Sequence, residues 1–122
     1  MTQNLLPELL LPDASSWRAW LEANHETSPG AHLVLHKSGG DVTTLTYDAA
    51  VEEALCFGWI DGLASRRDEG SWRVRMTPRR PRSNWSESNV SRVERLRRDG
   101  RMHESGHAAV EAAKADGRWP GK

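Results

Sequence analysis

Trp17, Trp20 and Leu21 recur at i, i+3, i+4 behind a group of capping residues, Asp13 to Ser16. The spacing predicts an amphipathic helix that ends near the breaker cluster Thr27-Ser28-Pro29-Gly30. His32 to Lys37 then reads as a strand, with Leu33, Leu35 and Lys37 on one face and His32, Val34 and His36 on the other. Ser38 to Asp41 reads as a tight turn and Val42 to Thr46 as the hairpin partner. Thr46 is placed to cap a helix from Tyr47 to Phe57, whose Val51, Ala54, Leu55 and Gly58 share a face opposite Glu52 and Glu53. Its apolar face marks it as the central helix, and Gly58 as its stop.

Leu63 to Arg67 is a second candidate strand, and Asp68 to Ser71 a turn. Trp72 to Met76 alternates strictly, which turns Trp72, Val74 and Met76 inward and Arg73, Arg75 and Thr77 outward. Ser83 or Ser86 caps a helix through Val90, Val93 and Leu96 that stops at Asp99-Gly100. A last helix, Glu104 to Ala115, stops at Asp116-Gly117. The expected fold class is α+β, with helices flanking a mainly antiparallel β-sheet. At 122 residues the chain has room for one core, so residues 1–122 are read as a single domain and 1–12 as an N-terminal arm.

Composition adds a constraint on that core. The apolar residues make up 37% of the chain, and six tryptophans (Trp17, Trp20, Trp59, Trp72, Trp85, Trp119) are spread from end to end. Each indole can bury about 150–250 Å², so every segment is expected to contribute an aromatic to the same core. One cysteine, Cys56, excludes an intramolecular disulfide and a cysteine-rich metal site, and it reads as a small buried hydrophobe. The opening MTQNLLPELLLPD lacks a basic leader and a small-residue cleavage site, and no apolar run reaches a membrane span. A cytoplasmic location is the expectation.

The charge is balanced overall but divided along the chain. Residues 1–63 carry two basic side chains against nine acidic ones, and residues 64–122 carry fifteen basic against eight acidic. Such a split reads either as a face for nucleic acid or an acidic ligand, or as two halves that attract each other across the fold. Three of the arginines fall in TPRRPRSNWS, Thr77 to Ser86. Guanidinium forks match carboxylate and phosphate, hydroxyls and a helix N-terminus add donors, and the prolines limit the entropy lost on binding. The alternative is a structural strap, its arginines taken up by Asp61, Glu52 or Glu53 and Trp85 plugging the core.

Other motifs weigh less. His103-Glu-Ser-Gly-His107 fits the two-histidine helical metal pattern by letter, but Gly106 lies at the helix start, no third ligand follows, and His103 falls at the cap. His32 and His36 read as half-exposed packing residues, and the arginines from Arg92 to Arg101 as a solvated helix face or a nucleic-acid backbone contact. Asp61 has no nucleophile or second carboxylate at a fixed spacing, so its reading as a general base stands only as an alternative. No glycine-rich phosphate loop is present, and no cofactor or metal is expected.

The blocks Ala54-Leu-Cys-Phe-Gly-Trp-Ile-Asp-Gly62, Thr77-Pro-Arg-Arg-Pro-Arg-Ser83, Trp85-Ser86, Asn89, Gly100-Arg-Met102 and Ala113-Lys-Ala-Asp-Gly-Arg-Trp119 resemble the YdeI/OmpD-associated, or bacteriocin-protection, family of bacterial proteins. The resemblance runs from about Trp17 to Trp119. It implies an α+β fold and, by the family's name alone, a link to resistance against antimicrobial peptides. Many members continue with a basic helical segment where this chain ends at Lys122, and they carry Thr where it has His103, so the chain reads as a short member or an N-terminal portion. The resemblance supplies no catalytic residues.

The resulting expectation is a non-catalytic binding module. Its basic pocket is formed by Arg75, Thr77, Arg79, Arg80, Arg82, Ser83 and Asn89, with Trp59, Asp61 and Trp85 as the wall. The expected partner is a phosphate- or carboxylate-bearing ligand, or a protein presenting one; nucleic acid on the same arginines and tryptophans, and an enzyme with Asp61 as base, are the alternatives.

Overall fold

The computed structural model describes residues 6–37 and 43–120. Its elements run β1 (Glu8–Leu9), α1 (Ala14–Asn24), β2 (Ala31–His36), α2 (Tyr47–Cys56), β3 (Trp59–Arg66), β4 (Ser71–Pro78), α3 (Glu87–Arg98) and α4 (Glu104–Ala115). The four strands form one sheet in the order β1-β2-β4-β3, antiparallel except for β1 beside β2. This is a small α+β domain, as the pattern predicted.

The helix boundaries follow from local chemistry. Asp13, Thr46 and Ser86 each accept a hydrogen bond from the backbone N–H three residues on, and His103 Nδ1 accepts from the N–H of Ser105, two residues on. Gly58, Gly100 and Gly117 adopt positive φ just past α2, α3 and α4, a conformation that terminates a helix at no cost only for glycine.

The strand alternation also holds. β2 and β4 pair Leu33 with Val74 and Ala31 with Met76, which puts these apolar side chains on one face. That face and the helices share one core, in which Trp17 and Leu21 of α1, Val51 and Leu55 of α2, Val93 and Leu96 of α3 and Val110 of α4 are all buried. α2 touches α1, α3, α4 and β3, so it is the central helix. The opposite face of the sheet carries Arg73, Arg75 and Thr77. There Glu8 of β1 accepts from Arg67 (2.9 Å) and Arg73 (3.3 Å), and these two arginines hold its carboxyl below the usual range.

Two expectations are corrected. Residues 43–46 are not a strand, and the turn proposed at Ser38 to Asp41, with Val42, lies outside the described residues. The two neighbours of β2 are β1 and β4, so that Thr43 and Thr44 instead donate their hydroxyls to the carbonyls of Leu11 and Pro12 and tie this loop to the N-terminal segment. Within the segment expected to be an arm, Glu8 and Leu9 pair in register with His32 and Leu33 and extend the sheet. The tryptophans collect as expected. Trp17 stacks on Trp20 at 5.5 Å, Trp59 meets both edge-on, and Trp85 packs on Trp119 at 5.0 Å.

Candidate functional site: a cationic cavity between the strap and the last helix

The segment after β4 folds back over the end of α2. Arg79 N–H donates to Gly58 O (3.0 Å), and Ser83 N–H closes a turn onto Arg80 O (3.1 Å). Pro81 occupies the first central place of that turn, where its fixed φ is an advantage, and Arg82 the second, at φ 71. Glycine is the usual residue there, so the chain holds an arginine in a mildly strained conformation.

Across from this turn, α4 starts against the end of α2. His103 N–H donates to Cys56 O (2.9 Å) and Ser105 Oγ to Phe57 O (3.0 Å), so α4 satisfies carbonyls that the terminus of α2 leaves open. Between the two lies a cavity of about 440 Å³. Its floor is apolar, from Phe57, Trp59, Trp85, Pro78 and the α4 alanines Ala108, Ala109 and Ala112; its polar groups are Arg79, Arg80, Arg118, Ser83, Ser105, His25 and Glu26.

Arg79 is the central group. Its guanidinium lies 3.7 Å above the Trp85 ring, Nε donates to Ser83 Oγ (3.1 Å) and Nη2 to Asn84 O (2.8 Å). Nη1 is buried and has no hydrogen-bond partner. Burial, and then the positive charge of Arg118, pull Arg79 down to about 10, with Asp61 only partly offsetting them. A cation in this state lacks a counter-anion. Arg118 itself is held by Asp116 (2.9 Å) and donates to Ser83 O (2.6 Å), while Arg80 is exposed at the rim.

The carboxylates expected to neutralise this segment are engaged elsewhere. Glu52 pairs with Arg95 (2.6 Å) and Arg101 (3.5 Å), Glu53 with Arg18 (2.9 Å) and Arg101 (2.7 Å), and Asp48 with Arg92 (2.9 Å). The acidic half of the chain does attract the basic half, through Arg92 and Arg95 of α3, through Arg101, and through Arg67 and Arg73 on Glu8. Among the described residues Arg75, Arg79, Arg80 and Arg82 form no ion pair.

Of the residues singled out from the sequence, Trp59, Arg79, Arg80, Ser83 and Trp85 come together in this cavity. Arg75 and Thr77 line a second cavity, of about 520 Å³, shared with Arg79 and Arg80. Arg82 faces a cleft beside Asp116 and Arg118. Asn89 does not line the cavity; it is buried at the start of α3, where Oδ1 accepts from Arg92 (3.1 Å). Asp61 also lies outside it. The register beside Met76 turns Asp61 toward α2, where Oδ2 accepts from the Tyr47 hydroxyl (2.6 Å). His25, Ser105, Arg118 and the alanines of α4 were missed. An alanine-rich last helix was visible in the sequence, but its neighbours were not.

The Tyr47 contact carries its own prediction. The hydrogen bond to Asp61, then burial, push Tyr47 up to about 12 from the ordinary 10.0. The fold therefore holds this proton more tightly than the unfolded chain does, so the contribution to stability is complete below pH 10.0 and lost between there and about 12. Tyr47 is the chain's one tyrosine, so alkaline titration of tyrosinate absorbance reads it alone. The expected midpoint lies near 12 and moves back toward 10.0 in Asp61→Asn. An unchanged midpoint in the variant would show that Asp61 does not hold the hydroxyl.

A model of the family described as Domain of unknown function (DUF8412) matches residues 9–109. The chain belongs to the DUF8412 family. The matched span includes β1 through the first half of α4, and with them most of the cavity; Ala112 and Arg118 fall beyond it. Neither the curated proteins nor the solved structures give a match. Among the described residues of this DUF8412 domain no helix is long and apolar enough to cross a membrane, and no group of three or more His, Cys, Asp or Glu side chains is placed to hold a metal ion.

Proposed function

We propose that the domain is a binding module for a small anionic molecule with an apolar body, held in the cavity between the strap and α4. The observation that carries this reading is the buried, unpartnered Nη1 of Arg79, a desolvated cation that no carboxylate contacts and that Asp61 offsets only in part. A guanidinium costs several kcal/mol to bury without a counter-charge, to order of magnitude, and a ligand carboxylate or phosphate supplies the missing partner. The apolar floor accounts for the rest of the ligand. The resemblance to bacteriocin-protection proteins adds a biological setting, resistance to antimicrobial peptides, in which the module would act.

The geometry supports nucleic acid and Asp61 catalysis less well. Trp59 and Trp85 are 1% and 6% exposed, and the Arg79 guanidinium already lies over the Trp85 ring, so neither offers a free face for a base to stack on. Asp61 is occupied by Tyr47 and faces away from the cavity.

Arg79→Met tests the reading, because methionine keeps an apolar stem on Trp85 and removes the charge. Titrated with aromatic carboxylates and organic phosphates, the wild-type domain is expected to bind one class, and Arg79→Met to bind it about ten- to a hundredfold more weakly. The unliganded variant is expected to melt within a few degrees of wild type, since an uncompensated cation is lost together with two hydrogen bonds. A steep fall in Tm with unchanged affinity would make the segment a strap only.

A further inference from the structure

His25 presents the complement of Arg79 in the same cavity. It follows α1 directly, with its ring set against Phe57 (5.2 Å) and His103 (4.9 Å) and its side chain only 8% exposed. Nδ1 lies 2.8 Å from Leu21 O. A carbonyl oxygen only accepts, so the hydrogen of this contact is on Nδ1, and in the neutral ring Nε2 is left as a bare acceptor. Nε2 is buried without a hydrogen-bond partner. The Glu26 carboxylate, 83% exposed, is 4.0 Å away, beyond hydrogen-bond reach.

Two residues that line the cavity thus each keep a buried polar atom without a partner, Arg79 Nη1 as a donor and His25 Nε2 as an acceptor. A plain carboxylate, which only accepts, satisfies the first and leaves the second buried and unpaired. A buried polar atom without a partner is costly, and a ligand that meets both is favoured over one that meets either.

We infer that the ligand is an apolar-bodied carboxylate that also carries a hydroxyl or N–H donor, with the carboxylate on Arg79 and the donor on His25 Nε2. The inference rests on the anion-binding reading above and narrows it to a hydroxy- or amino-substituted organic acid. His25 then serves as the specificity-determining residue: it separates such acids from plain carboxylates of similar charge and body.

The test is calorimetric titration of the full chain with benzoate, the three monohydroxybenzoates and the three benzenedicarboxylates, for wild type and His25→Phe. At least one hydroxybenzoate is expected to bind about tenfold more tightly than benzoate, and the preference to shrink below about twofold in His25→Phe. Because that variant also loses the bond to Leu21 O and its folding can suffer, long-range 15N spectra of the wild-type imidazoles give a second readout. The hydroxy acid is expected to move the Nε2 resonance of His25 while Nδ1 stays protonated. Equal binding of benzoate and all hydroxybenzoates would overturn this inference and leave the anion site standing. Tightest binding by a dicarboxylate would also overturn it, by showing His25 to act as a cation. No binding by any of these probes would overturn this inference, and no binding by the organic phosphates either would overturn the anion site as well.

Discussion

Gly106→Ala is expected to destabilise the domain by about 3 kcal/mol, the upper end for an added methyl in a packed interior. A Cβ at this position would collide with the carbonyl oxygen of Cys56, and would also lie 2.7 Å from its carbonyl carbon and 2.8 Å from Met102 Cε. Two of these atoms are backbone at the end of α2, so no rotamer change relieves the contact. Intrinsic propensity predicts the opposite sign, since alanine in a helix is favoured over glycine by about 1 kcal/mol. The close approach wins because the same interface holds the His103 and Ser105 hydrogen bonds that join α4 to α2. Urea unfolding of Gly106→Ala measures the difference; a midpoint equal to or above wild type would mean that α4 does not seat against α2 in this way. The cavity shares that seam, so ligand affinity should fall with stability.

Glu53→Ala is expected to cost a further large amount, about 3 kcal/mol, the lower end for removal of one partner from a buried ion pair. Glu53 is 7% exposed and receives Arg18 (2.9 Å) on one oxygen and Arg101 (2.7 Å) on the other. Without it the two guanidiniums face each other, and Arg18 keeps only the Arg101 carbonyl (2.8 Å) and a long contact to Glu22 (3.8 Å). Partial exposure of both arginines places the estimate at the low end of the range. Glu22→Ala is the control: its carboxylate is 59% exposed, and an exposed pair of this kind contributes less than about 0.5 kcal/mol. Denaturation of both variants at low and high salt separates the two cases, since screening weakens surface pairs far more than buried ones. Equal losses for Glu22 and Glu53 would mean that the Arg18-Glu53-Arg101 cluster is as solvated as the surface.

This cluster also resolves the charge asymmetry. The division into acidic and basic halves was plain in the composition, and the reading of two halves that attract each other has a structural counterpart in the ion pairs. The acidic groups on α2 are taken up by Arg18, α3 and Arg101, and the arginines of the segment around Arg79 are among those left without an ion pair. Counting charges could not divide the arginines between these two fates, because it depends on which carboxylate lies within about 4 Å of each guanidinium, where pairing energies become large.

The elements most readily read from the sequence were those set by neighbours within four residues. The caps at Thr46 and Ser86, the glycine stops after α2, α3 and α4, and the alternation of β4 all depend on local hydrogen bonds, on φ, or on a period of two. The elements misread were those that depend on distant partners. Nothing local to Glu8 and Leu9 announces a strand, and residues 43–46 had a strand-like pattern with no free sheet edge beside β2 to receive it.

The site divides in the same way. The sequence by itself determined an α+β domain with an aromatic core, its helix boundaries, the outward arginines of β4 and a cationic segment stiffened by prolines, because each follows from local geometry or side-chain chemistry. Only the tertiary structure decided the strand order, which arginines keep a charge to share, and the meeting of His25 from α1, Phe57 from the end of α2, Arg79 from the strap and Ser105 from α4 around one cavity. Contacts between residues fifty or more positions apart depend on how all the elements pack at once, and a linear pattern carries no record of that packing.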